Sequence, residues 1–252
     1  MTDSPDRARI LHADTVSVPS RFNGPPGLGQ GGYSAWLSAQ PLEGAAAADL
    51  RRPVPLERPL QRTLLASGRT ELRDGDVLIA EARRTSLTLG IPPAPGWEES
   101  VQAAARFPGF QFHPFDTCFA CGTRREEGDG LRIFSGPREN GEGLAAPWVP
   151  HASIATDGRV PPEMIWAALD CPSGWAAHPV VLGQFPEGSR GLTAQFAVRI
   201  DAPVHVGKRY TTLGWLVRTE GRKIFTGTAL YDGDGAPVAV GAALWVVVLP
   251  KA

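Results

Sequence analysis

Apolar spacing predicts a helix over Pro161–Ala177, where Met164, Ile165, Ala168 and Leu169 recur at helical intervals. Pro161 and Pro162 suit a first turn that needs no backbone donor from them, and Glu163 suits its positive end. Gly191–Ile200, Arg209–Thr219, Lys223–Tyr231 and Pro237–Leu249 then read as strands, with turns at Glu220-Gly221 and Asp232–Gly235. Thr211, Leu213, Trp215 and Val217 alternate with Thr212, Gly214, Leu216 and Arg218, as on a half-buried strand. Val238–Val248 is almost wholly apolar, so it belongs at the centre of a sheet, covered on both faces. One helix followed by four long antiparallel strands makes a sheet wrapped round a helix.

Upstream the same order recurs in weaker form. A Gly/Pro loop over Arg21–Gly32 precedes a helix at Tyr33–Gln40, and Ala48–Leu89 alternates like strands. Leu60–Leu72 and Val77–Leu89 flank Arg73-Asp74-Gly75-Asp76, a hairpin turn signal. Ile91–Trp97 breaks the pattern as a linker, and Glu98–Arg106 reads as a short helix. Residues 1–20 are polar, an edge strand or a loose arm.

Two echoes tie the halves together. At an offset of 130, Trp36 falls on Trp166 and Gln40 on Asp170; at 144, Val54–Pro59 falls on Val198–Pro203. Collinear echoes imply a duplicated unit of helix followed by strands. The expected division is an N-terminal unit over 1–109, with a shortened sheet, and a C-terminal unit over 110–252. In one copy the polar helix residue is ionisable and in the other it is an amide. Asp170 is then either a cap near a helix break or a reactive group in an apolar cleft.

With 252 residues, 42% apolar and 20% charged, the composition is that of a soluble globular chain. A net charge of −1 gives no footprint for nucleic acid. No apolar run is long enough to span a bilayer, and Met1–Arg7 lacks a signal peptide's apolar region, so the expected location is cytoplasmic.

Gly27-Leu-Gly29-Gln-Gly31-Gly32 matches the dinucleotide fingerprint in letters only, because no apolar strand precedes it. Its glycines would let backbone approach a ligand, with free amides at the next helix start. Cys118-x-x-Cys121 invites a zinc reading, which needs about two further ligands. His113, His151, Cys171 and His178 are available without paired spacing, so the expectation is a tight packing turn and no metal. A redox role would need a thioredoxin-like context, which the pattern lacks.

The duplicated helix-then-sheet units, Gly31-Gly32 opening the first helix and Ala168-Leu169-Asp170 in the second resemble the hotdog fold. More specifically, the chain resembles double-hotdog acyl-CoA thioesterases. Cys118-Phe-Ala-Cys-Gly122 with Gly130-Leu131 is similar to a phrase in thioesterase-like hotdog proteins. The implied fold class is α+β, a tandem (double) hotdog with antiparallel sheets each wrapped around a central helix.

The resemblance implies a site between the units, with Asp170 as nucleophile or base for water on a thioester carbonyl. Gly31, Gly32 and Tyr33 would supply the oxyanion amides, and Trp36, Gln40 and Trp166 would line the substrate path. Thr193 matches the position of a family threonine that helps hold water, and also reads as an ordinary strand residue. The family completes that set with a last-strand glutamine, where this chain has Ala243; Gln195 would substitute, since alternation from Thr193 permits it to face the cleft. Gln40 cannot act as a base, so at most one live site is expected.

The implied activity is hydrolysis of a fatty or aryl acyl-CoA, or a related thioester, without a cofactor. Alternatives are a non-catalytic acyl-CoA binder and an enoyl-CoA hydratase or dehydratase, for which His178 is the available base. Arg199, Lys208, Arg209 and Arg222 would meet CoA phosphates or only water. No nucleic-acid or membrane partner is implied, and a homodimer of double hotdogs fits the resemblance.

Overall fold

Each central helix leads into a strand that pairs with its counterpart from the other half. The computed structural model describes residues 9–250. Its first half comprises β1 (Ile10–Val16), α1 (Gly31–Ala39), β2 (Ala46–Leu50), β3 (Leu60–Leu65), β4 (Arg69–Asp74) and β5 (Val77–Arg84). There follow α2 (Trp97–Ala105), β6 (Gly136–Pro137), β7 (Leu144–Trp148) and α3 (Pro162–Gln184). The chain closes with β8 (Arg190–Ile200), β9 (Tyr210–Glu220), β10 (Lys223–Tyr231) and β11 (Pro237–Val248).

Among the described residues the strands form one 11-stranded sheet, β1-β3-β4-β5-β2-β8-β11-β10-β9-β7-β6, with every pairing antiparallel. Outward from the β2–β8 junction the two halves repeat one order, β2-β5-β4-β3-β1 and β8-β11-β10-β9-β7. In each, the strand after the helix stands at the junction and the strand before it stands outermost but for β6. This is the tandem hotdog, and α1 packs on α3 inside it. α2 lies apart, against β6 and β7. No helix among the described residues is long and apolar enough to cross a membrane.

Several elements depart from the sequence pattern: β5 stops at Arg84 rather than Leu89, β6 and β7 lie where no strand is expected, and two departures bear on the core. Leu60–Leu72 is a hairpin, β3 and β4, turning at Gly68 with φ of 76°. Alternation runs straight through Ser67-Gly68, and only that dipeptide marks the turn. α3 runs on past Ala177 to Gln184 with Pro172 and Pro179 inside it. The missing donors are outweighed by packing, since Trp175, Ala177, Val180 and Val181 are all buried. β9 crosses α3 so closely that a Cβ on Gly214 would stand 2.1 Å from the Pro172 carbonyl oxygen.

The outer edge is fastened by Arg62 of β3. Buried at 6% exposure, it donates to Asp14 of β1 (Nε–Oδ1 3.0 Å) and to the Leu37 carbonyl of α1 (2.8 Å). The hydrogen bond from Arg62 holds the Asp14 carboxyl below its ordinary value. A depressed carboxylate contributes stability above its unfolded pKa of about 3.9, lost as pH falls through the folded value. Asp14→Asn leaves the guanidinium buried without a counter-charge. It should cost about 2 kcal/mol by urea unfolding at pH 7, and less below about pH 4.

Candidate active site

α1 opens on two glycines because its first turn presses against α3. A Cβ on Gly32 would stand 2.3 Å from the Trp166 carbonyl oxygen and 2.8 Å from Asp170 Cβ. A Cβ on Gly31 would meet Thr193 Oγ1 at 2.8 Å and Asp170 Oδ2 at 2.9 Å. Bare backbone therefore brings the positive end of α1 against the Asp170 carboxylate.

Gln30, the residue before the helix, joins the two. Its Oε1 accepts the Tyr33 N–H (2.7 Å), and its Nε2 donates to Asp170 Oδ2 (2.7 Å). Thr193 Oγ1 donates to Asp170 Oδ1 at 3.3 Å. Asp170 is 4% exposed and is the one buried carboxylate among the described residues. Its side-chain partners are an amide and a hydroxyl, with no cation among them. Burial pushes the carboxyl up to about 7, a charged Cys118 sulfur adds to the rise, and the Gly32 amide and Thr193 oppose it. Gly31 and Thr193 beside it are half-buried.

Around this centre lie Tyr33, stacked on Phe22 with ring centres 4.2 Å apart, and Glu163 of the first turn of α3. Burial, then the Glu163 charge, pushes the Tyr33 phenol up to about 12; burial also raises Glu163.

Asp170, Thr193, Gly31 and Gly32 thus come together from three elements. Trp166 is buried against Phe196, edge to face, while Trp36 is half-buried beside Tyr33. Three expectations need correction. The Tyr33 amide is occupied by Gln30 Oε1, so it is not a free oxyanion donor. Gln40 caps the far end of α1 and is exposed, because the helix stops there and turns its end to solvent.

Gln195 faces away from Asp170. In the pairing of β8 with β11, Leu244 opposes Gln195 and Trp245 opposes Thr193, so Ala194 is an extra residue that breaks the alternation. This bulge turns Gln195 to the outer face, where its Nε2 donates to Asp49 Oδ1 at 2.6 Å. Ala243, paired with Phe196, offers no amide in its place. The pattern of residues overlooked Gln30, which lies in the glycine loop and is not among the commonest N-cap types.

Behind Asp170 the next residue, Cys171, meets the Cys118-x-x-Cys121 turn. The three Sγ atoms lie within 4.8 Å of one another, with Cys118 and Cys171 3.7 Å apart, and all three are free and buried. The turn expected to be only packing therefore has a third thiol. Hydrogen bonds from Cys121 and Cys171 favour the ionised form of Cys118, and donating to it pushes the other two thiols up. His113 Nε2 is 3.4 Å from Cys121 Sγ. His178 packs on Trp175, and burial lowers the pKa of both histidines.

No family model and no curated protein matches the sequence. Solved structures do match over nearly the whole chain. The TesB protein of Mycobacterium avium subsp. paratuberculosis superposes with a TM-score of 0.60 at 11% identity, covering 96% of each chain. Acyl-CoA thioesterase II TesB2 of Mycobacterium marinum gives 0.53 at 12%, over 95% of this chain and 94% of that one. The dehydratase domain of PpsC from Mycobacterium tuberculosis, in complex with C12:1-CoA, gives 0.58 at 15%, over 94% and 93%. These likenesses establish the double-hotdog fold, which serves more than one chemistry.

Proposed function

We propose that this chain hydrolyses an acyl thioester, with acyl-CoA as the substrate class and Asp170 as the base that activates water. One observation carries the reading: the buried carboxylate has no cation partner and is pressed against a helix start from the other half. A carboxylate there is costly to bury, and such groups cluster at functional sites. The thioester carbonyl would approach Asp170 at the start of α1, where the Thr193 side chain must turn aside to admit it. Asp170 takes a proton from water as the oxygen attacks carbon, and the oxyanion forms against the amide end of α1, at Gly31. Helix-start amides stabilise such charge by a few kcal/mol. The C–S bond then breaks and the thiolate takes the proton from Asp170. Gln30 is a positioning residue that holds the carboxylate rotamer.

The dehydratase neighbour supports a second chemistry on this fold, one that would need a histidine beside the acid. His178 lies eight residues along α3 from Asp170, about 12 Å of helix rise, and it stacks on Trp175. The geometry favours hydrolysis. Acyl-CoA esters of graded chain length, assayed for released thiol, should show saturable turnover. Binding of acyl-CoA by tryptophan quenching with no thiol released at any length would reject the hydrolase for the binder.

Thr193→Val removes one hydrogen bond to the base and leaves its shape. It should lower kcat about 10-fold with KM little changed, as for an interaction made mainly in the transition state.

A further inference from the structure

Every cysteine of the chain arrives at one point. The chain has three, at positions 118, 121 and 171, and their Sγ atoms form the cluster behind α3. They come from two parts of the sequence far apart along the chain: a loop and the middle of a helix. We propose that Cys118, Cys121 and Cys171 bind one zinc ion in a structural site, with His113, the imidazole beside Cys121, turning in as the fourth donor.

The separations fit that ion. Zinc–sulfur bonds of about 2.3 Å in a tetrahedron place two sulfurs about 3.8 Å apart, and a sulfur and an imidazole nitrogen about 3.5 Å apart. Cys118 and Cys171 stand 3.7 Å apart, and His113 Nε2 is 3.4 Å from Cys121 Sγ but lies outside the group of three sulfurs that sit within 4.8 Å of one another, so the imidazole must swing inward to ligate. A disulfide would need sulfurs at about 2.05 Å and would strand the third thiol.

The turn is built to hold its sulfurs on one side. Gly122 N–H donates to the Cys118 carbonyl at 2.8 Å. A Cβ on Gly122 would stand 2.5 Å from that oxygen and 2.7 Å from the Asp116 carbonyl oxygen, so only glycine closes the turn. His113 is wedged edge-on against Phe107 and Trp175. His113 Nε2 lies 3.1 Å from the Cys121 carbonyl oxygen and Nδ1 accepts the Phe115 N–H at 3.0 Å; a metal on Nε2 puts the proton on Nδ1, so both contacts must open on binding.

The surrounding segment also calls for a staple. Between Gln111 and Ser135 there is neither α-helix nor strand, yet Phe119, Ala120, Leu131 and Ile133 are buried. Long buried loops without regular structure are uncommon, because little else orders them. Zinc would tie this loop to α3 at the residue after Asp170, and its three sulfur donors are buried, so the ion itself would not touch substrate.

The test uses the untagged full chain, purified without chelator. Expected are one zinc per chain by plasma emission and, after exchange, a cobalt(II) spectrum with tetrahedral d–d bands and thiolate charge transfer. Stripping zinc should lower Tm by roughly 10 °C, reversed by zinc but not magnesium. Cys118→Ser, Cys121→Ser and Cys171→Ser should each abolish the charge-transfer spectrum, and His113→Ala should weaken binding while keeping that band. A folded chain that holds no zinc, gives no tetrahedral cobalt spectrum and melts at the same temperature with and without zinc overturns the site. The measurements on the unmodified chain decide the matter even if a cysteine variant fails to fold. Asp170→Asn should bind metal as before, so the zinc site and the hydrolase reading fail separately.

Discussion

Asp170→Asn is expected to cut kcat/KM for acyl-CoA hydrolysis by at least about 1,000-fold while the protein stays folded. The loss is that of a positioned base, which general acid–base catalysis places at about 100- to 10,000-fold. Stability should hold or rise. The asparagine can accept from Gln30 through its carbonyl oxygen and donate from its amide to Thr193 Oγ1, which keeps both contacts made now at 2.7 and 3.3 Å. It also removes a charge whose burial is unfavourable, so functional residues of this kind commonly gain stability when neutralised. Thermal melting and released thiol, measured on one preparation, test both halves. Activity surviving within 10-fold would remove Asp170 from the chemistry, and unfolding would make it a structural residue.

The adjacent glycines should part company when each is changed to alanine. Gly32→Ala drives a methyl group against backbone, 2.3 Å from the Trp166 carbonyl oxygen, and α1 cannot stay where it is on α3. The cost should be at least about 3 kcal/mol in urea unfolding, since neither helix can yield without repacking the centre of the molecule. Gly31→Ala meets the ends of two side chains instead, Thr193 Oγ1 at 2.8 Å and Asp170 Oδ2 at 2.9 Å. Those atoms can rotate away. That variant should lose about 1 kcal/mol of stability but at least about 100-fold in kcat/KM, because the methyl takes the space beside the carboxylate. Equal effects at the two positions would mean that α1 does not press its backbone on α3 at Gly32.

Much of the fold can be read from local chemistry. Two-residue alternation in Arg209–Thr219 and the apolar run Val238–Val248 each reach a boundary within a residue of the observed strands, β9 at Tyr210–Glu220 and β11 at Pro237–Val248. The offset of 130 between Trp36 and Trp166 carries Gly31 onto Pro161, beside the start of α3 at Pro162. Periodicity succeeds there because burial on one face acts on each residue independently of what it touches. It fails at Gln195. A single extra residue at Ala194 reverses the faces of everything beyond it, and nothing in the composition of Thr193-Ala194-Gln195 marks a bulge.

By itself the sequence determined where the helices start, the boundaries of the last four strands, the repeated helix-then-strand order and the one acidic residue in an apolar helix, since each is a property of neighbouring residues along the chain. Only the tertiary structure decided that Gln30 reaches Asp170 across 140 positions, that Gln195 belongs to Asp49, and that Cys171 closes on Cys118 and Cys121. Those contacts depend on how closely two helices approach and where one strand bulges. Backbone separation in space sets both, and residue spacing does not record it.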